Sequence, residues 1–237
     1  MELKVVVPTD LSEITLEQYQ KFARLEGDEE FLTHKMLEVF CNVPLNKLPN
    51  VKFKSLSGVV NRLNGMFATK PSLKLEFTLG GQTFGFIPNL EDITFGEYVD
   101  LDNYMADSQE LHKTMAILYR PITQRAGKRY DIKQYESAEK YSELMKQAPM
   151  DVVLGATLFF YRLGSDLLLA TMNSLESQTT SIAEKLNSEG SGDGTPRSIT
   201  LLKEMSQSLK MWEDWAFINA SLFSRLTKSA TTLNEDN

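Results

Sequence analysis

The chain has 237 residues, 42% of them hydrophobic and 24% charged, with a formal net charge of −7. That length buries a substantial core, and the composition is ordinary for a soluble globular protein. The acidic excess argues against general nucleic-acid binding, which needs a basic face to neutralise phosphates. The single cysteine, Cys41, excludes an internal disulfide framework and fits a reducing compartment.

At the N-terminus, "MELKVVVPTD" contains no apolar run long enough for a signal peptide, although Val5–Val7 could add a strand. The next phrase, "VPTDLSEITLEQY" at 7–19, is nearly repeated as "IPNLEDITFGEY" at 87–98. In each, a threonine and a residue three positions on have the spacing of a capping box: Thr15 with Gln18, and Thr94 with Glu97. Ile14 with Tyr19, and Ile93 with Tyr98, have the spacing of a hydrophobic staple. The likeness continues. Asp28 and Asp107 could each cap a second helix, and Leu32, Met36 and Phe40 match Leu111, Met115 and Tyr119. Over residues 11–41, seven positions are identical at an offset of 79, where ordinary residue usage gives roughly two by chance. Both stretches end near a proline, Pro44 and Pro121, which suits a helix terminus. The pattern predicts two diverged helix–turn–helix units, 11–41 and 90–120, packed in one domain.

Between them, residues 55–71 predict a helix with Val59, Leu63 and Met66 or Phe67 inward. The alternating stretch 73–87 then predicts a β-hairpin turning at Gly80-Gly81. After the second unit, Ile122, Tyr130 and Ile132 flank Ala126-Gly127 and suggest another short hairpin. Arg120, Arg125, Lys128, Arg129 and Lys133 against Asp131 give this segment a local charge of +4. Such a patch could contact a phosphate or an acidic partner, or could simply keep an edge strand from pairing with other chains. Arg125, Lys128 and Arg129 are the candidate contact residues there.

The rest reads as mainly helical. "SAEKYSELMKQA" is a short helix stopped at Pro149, and a long helical pattern runs from Asp151 to about Lys185. Its longest greasy stretch, "VVLGATLFFY" at 152–161, is far short of the roughly 20 residues a membrane span needs. A Gly/Ser-rich loop at 187–198 leads to a second helical pattern containing Trp212 and Trp215, two further candidate partner contacts. The expected fold class is therefore α+β, mainly α. An α+β domain spans 1–135 and holds both units and a small β-hairpin; a helical region spans 136–237 and ends in a long helical hairpin.

Chemistry is limited by what is missing. The only histidines are His34 and His112, each expected on a solvated helix face, and neither forms a ligand cluster with Cys41. No nucleophile elbow, zinc-protease motif, phosphate loop or dinucleotide fingerprint occurs. No enzyme activity, metal or cofactor is expected.

The segments "FGFIPNLEDITFGEYVDLD", "MAILYRPI", "YDIKQY" and "APMDVVLGATLFFYRLG", within about residues 75–165, resemble proteins encoded in the structural-gene regions of tailed bacteriophages. The resemblance implies a structural protein of the head or tail, made in the host cytoplasm and resident in the virion. Its partners would be other phage structural proteins and further copies of itself. The alternative it implies is a tail assembly chaperone that leaves before the particle is complete. It carries over no catalytic residue.

Overall fold

The computed structural model describes residues 6–43 and 53–186. They form a mixed α+β structure with a four-stranded antiparallel sheet in the order β1-β2-β3-β4. The chain divides into two compact units. Of the described residues, the first unit holds 6–43 and 53–156, and the second holds 157–186.

The first repeated phrase folds as its local chemistry dictates. Asp10 caps a 3-10 turn at Leu11–Glu13, and helix α1 follows at Leu16–Ala23. Thr15 is its N-cap: the hydroxyl accepts from the Gln18 amide at 3.2 Å, and the Gln18 side chain accepts from the Thr15 amide at 3.0 Å. Asp28 caps helix α2, Glu29–Cys41, by accepting from the Phe31 amide at 2.8 Å. Helix α3, Phe53–Phe67, packs on α2. Along it Val60, Leu63, Met66 and Phe67 are buried, so Val60 and not Val59 is the inward valine. The rings of Tyr19, Phe22, Phe40 and Phe67 join these helices, with centroids 5.3 to 6.1 Å apart.

Strands β1 (Glu76–Leu79) and β2 (Gln82–Phe86) form the expected hairpin, with Gly80 and Gly81 at φ of +58° and +77°. The second repeated phrase again gives a 3-10 turn, Leu90–Asp92, and a capped helix α4, Phe95–Tyr104. Its capping box is complete: the Thr94 hydroxyl accepts from the Glu97 amide at 3.3 Å, and Glu97 accepts from the Thr94 amide at 2.8 Å.

From here the second unit departs from the first. Asp107 accepts from the Gln109 amide at 2.8 Å, inside a turn that precedes helix α5 (Leu111–Leu118), so it does not cap that helix. Tyr119 is not helical either. It opens strand β3, Tyr119–Ala126, opposite Phe86. Pro121 disfavours helical geometry at Arg120 just before it, and β2 offers hydrogen-bonding partners immediately, so the chain turns directly from helix to strand. Pro121 therefore lies inside a strand, paired with Phe84, while Pro44 lies outside the described residues.

β3 turns at Gly127 into β4, Arg129–Ile132, and a bulge between Ile122 and Gln124 shifts the register. Both expected hairpins are present, joined into one sheet through the β2–β3 pairing. Val6 and Val7 add no strand to it, and Val6 is exposed. Gly85 sits where a Cβ would meet the Tyr130 ring at 2.5 Å, and the Tyr130 hydroxyl donates to the carbonyls of Leu75 and Phe86. Tyr119 is fully buried among Phe77 and Phe86, with its hydroxyl donating to the Lys74 carbonyl at 2.6 Å.

Helix α6, Glu139–Met145, packs on α5. The first compact unit therefore runs on to Ala156, and α6, grouped by the sequence with the C-terminal helical region, belongs with the sheet. Pro149 separates α6 from α7, Met150–Leu186, which begins in the first unit and supplies the whole described part of the second. In α7, Gly155 lets the helix pass the Ser72 carbonyl, which a Cβ would meet at 2.5 Å. The loop at 187–198 and the second helix of the expected C-terminal hairpin, with Trp212 and Trp215, lie outside the described residues.

Candidate functional site

The basic side chains of the β3–β4 hairpin form the charged segment singled out in the sequence, and the structure treats its members very differently. Arg120 is buried, pointing from β3 toward the start of α4, where its Nη1 lies 2.6 Å from Glu97 Oε1. The approach is an ion pair in distance without the alignment of a hydrogen bond, and Arg120 Nε has no acceptor among the described residues. The other Glu97 oxygen is engaged by the Thr94 amide and hydroxyl. One carboxylate thus closes a helix cap and neutralises a buried guanidinium. The Tyr135 ring lies 5.6 Å from the guanidinium carbon, and the Tyr135 hydroxyl is bonded to Asp100. Burial pushes the Tyr135 hydroxyl pKa up, and the Asp100 carboxylate adds to the effect.

Thr94, Glu97, Arg120 and Tyr135 line a cleft of about 680 Å³ together with Pro88, Asn89, Asp92, Asp131 and Lys133. Its charges are mixed. Among the described residues no group of three His, Cys, Asp or Glu side chains could hold a metal ion. Cys41 is buried, and burial raises its thiol pKa to about 11, which suppresses the thiolate. His112 is buried too, contrary to the solvated position expected for it. Gln20 of α1 lies against its ring, and α6 packs on the helix that carries it. His34 is half-buried.

The basic segment is less of a patch than its composition suggests. Arg120 is consumed by Glu97, and Arg125 is paired with Glu76 on β1. Lys128 and Arg129 remain exposed at the β3–β4 turn, with no ion pair among the described residues. Of the candidate contact residues, Arg125, Lys128 and Arg129 are therefore brought together on one hairpin, but only two are free to meet a partner.

The sequence also missed a surface on α4. On α4, Phe95 is 83% exposed, Tyr98 62% and Val99 37%. These positions and Asp102 follow the i, i+3, i+4, i+7 spacing of one helix face. At the same offset of 79 in the first unit, Leu16 is 0% exposed and Tyr19 5%. The same pattern is core in one unit and surface in the other. The second staple is accordingly open, since Tyr98 faces outward.

The difference has a structural cause. The α6–α7 connection lies across the start of α1: the amides of Leu16 and Glu17 donate to the carbonyls of Ala148 and Lys146 at 2.9 and 2.7 Å, and Thr15 bridges Pro149. Nothing among the described residues takes that position at α4. The one signal available in the sequence was charge. From Leu90 to Glu110 there are seven carboxylates and no Lys or Arg, which fits a solvated flank better than a second core helix.

No protein-family model, curated protein or solved structure matches this chain. Among the described residues no helix is long and apolar enough to cross a membrane.

Proposed function

We propose that this chain is a non-enzymatic structural protein of a tailed-bacteriophage head or tail, and that it acts through protein–protein contacts. The observation that carries the reading is the exposed stripe of Phe95, Tyr98 and Val99 on α4, at positions whose counterparts in the first unit are core. Large aromatic side chains clustered on a helix face, beside acidic groups, suit burial against a partner better than permanent contact with water. The pattern-level resemblance over about residues 75–165 supplies the biological setting. The two capped units are read as an ancient duplication in which the first copy was absorbed into the core and the second kept its face open. Mass spectrometry of purified particles tests the proposal. The chain should be present in stoichiometric amount. Its absence from particles, together with recovery on an immature tail protein from infected cells, would favour the assembly chaperone instead.

A further inference from the structure

We infer that the partner of the α4 face is a second copy of this chain, which docks its β3–β4 turn there, head to tail. The inference rests on the reading above for its setting, in which many copies meet, but it concerns only how two copies touch.

Two surfaces of the first compact unit complement each other. The receiving one is the stripe Phe95, Tyr98, Val99, with Glu91 and Asp92 at its N-terminal end and Asp102 within it. All three carboxylates are exposed, and none is ion-paired among the described residues. The donor is the turn around Gly127, at φ of +64°, which carries Lys128 and Arg129 outward. These two cations likewise lack an ion-pair partner among the described residues. Cations placed over the faces of Phe95 and Tyr98 gain from the ring quadrupole as well as from the flanking carboxylates, and their aliphatic stems cover apolar surface.

The first unit shows what such a contact has to supply. At α1 the arriving segment brings backbone carbonyls to the Leu16 and Glu17 amides and closes over Leu16 and Tyr19. The corresponding amides of Phe95 and Gly96 have no acceptor among the described residues. A tight turn presents carbonyls outward and can approach a helix start closely. The β3–β4 turn thus offers an acceptor for the amides and positive charge for the acidic rim.

The two surfaces are different patches, so the contact is heterologous. Each copy that docks leaves one of each patch free, and copies add into a ring or a filament.

Sedimentation of the full-length chain tests this. The mass-average should rise with protein concentration at low salt and fall at high salt, because the contact is charge-rich. Phe95→Asp with Tyr98→Asp should abolish the rise, and so should Lys128→Glu with Arg129→Glu. All four residues are exposed, so the circular dichroism and urea midpoint of each variant should match the parent. Mixing the two blocked variants is the decisive arm. Each retains one intact patch, so the mixture should form dimers that grow no further. Adding Glu91→Lys, Asp92→Lys and Asp102→Lys to the Lys128→Glu, Arg129→Glu chain should restore assembly. A parent chain that stays monomeric at every concentration overturns the inference, because the α4 face then serves a different protein. Assembly that survives Lys128→Glu with Arg129→Glu, or a mixture that yields no dimer, overturns it as well. None of these results would remove the chain from particles, so mass spectrometry of the virion judges the broader proposal separately.

Discussion

Gln20 of α1 and His112 of α5 meet across the two repeated stretches, 11–41 and 90–120, with Gln20 Nε2 3.3 Å from His112 Nδ1. The same amide nitrogen donates to the carbonyls of Ser108 and Gln109 at 3.0 and 2.8 Å, which fixes it as the donor end of the Gln20 side chain. A donor nitrogen facing His112 Nδ1 disfavours a proton there, which favours the tautomer with the ring proton on Nε2. Protonation would set a second N–H against a donor. Burial already lowers the His112 pKa, and Lys146 and Lys113 lower it further against the opposing effect of Glu110 and Glu143.

A pH dependence follows from that geometry. A histidine whose folded pKa lies below its unfolded value, about 6.5, stabilises the fold fully above pH 6.5. That contribution is lost as pH falls from there toward the folded pKa. His112→Gln should therefore flatten the decline in urea midpoint between about pH 7 and pH 5. Parallel declines for parent and variant would mean that His112 does not titrate with unfolding.

Arg120 and Glu97 are worth far more together than apart. Removing the guanidinium leaves a carboxylate buried without its counter-charge, so Arg120→Met should cost about 3–5 kcal/mol in urea unfolding. Adding Glu97→Gln removes the orphaned charge while keeping an acceptor for the Thr94 amide. The double variant should be more stable than Arg120→Met alone. Simple additivity of the two losses would show that the groups do not interact.

The two caps should be similar in kind and different in size. Thr94→Ala loses a capping box at an open helix start and should cost about 1 kcal/mol. Thr15→Ala should cost more, because Thr15 is half-buried where the α6–α7 connection crosses α1, whereas Thr94 is exposed. Equal losses in thermal or urea unfolding would show that burial of this cap adds nothing.

Gly155 gives a prediction whose sign opposes helix propensity. In a free helix, Ala is better than Gly by about 1 kcal/mol. Here the new methyl group would lie 2.5 Å from the Ser72 carbonyl oxygen, an atom of the backbone that cannot swing away like a side-chain tip. Gly155→Ala should lower the unfolding midpoint, whereas Gly58→Ala on α3, with open space around it, should not. A stabilised Gly155→Ala would place α7 farther from Ser72 than described.

What could be seen in the sequence was what short-range forces decide. The Thr15–Gln18 and Thr94–Glu97 boxes lie within one helical turn, and Gly80-Gly81 sets its own φ angles, so each element could be named from a few neighbouring residues. The mixed α+β class followed from counting such elements. Pairings across long separations could not be named in the same way. Arg120 looked like one more cation in a basic segment until β3 carried it beside Glu97, and Arg125 looked free until Glu76 was brought to it. The clearest case is Tyr19 and Tyr98, which stand in the same local phrase, each four residues past its capping threonine. A local pattern specifies that a helix has an apolar face; only the rest of the chain decides whether anything lies on it. The α6–α7 connection covers the face of α1, and no described residue plays that part for α4, so one tyrosine is buried and the other meets water.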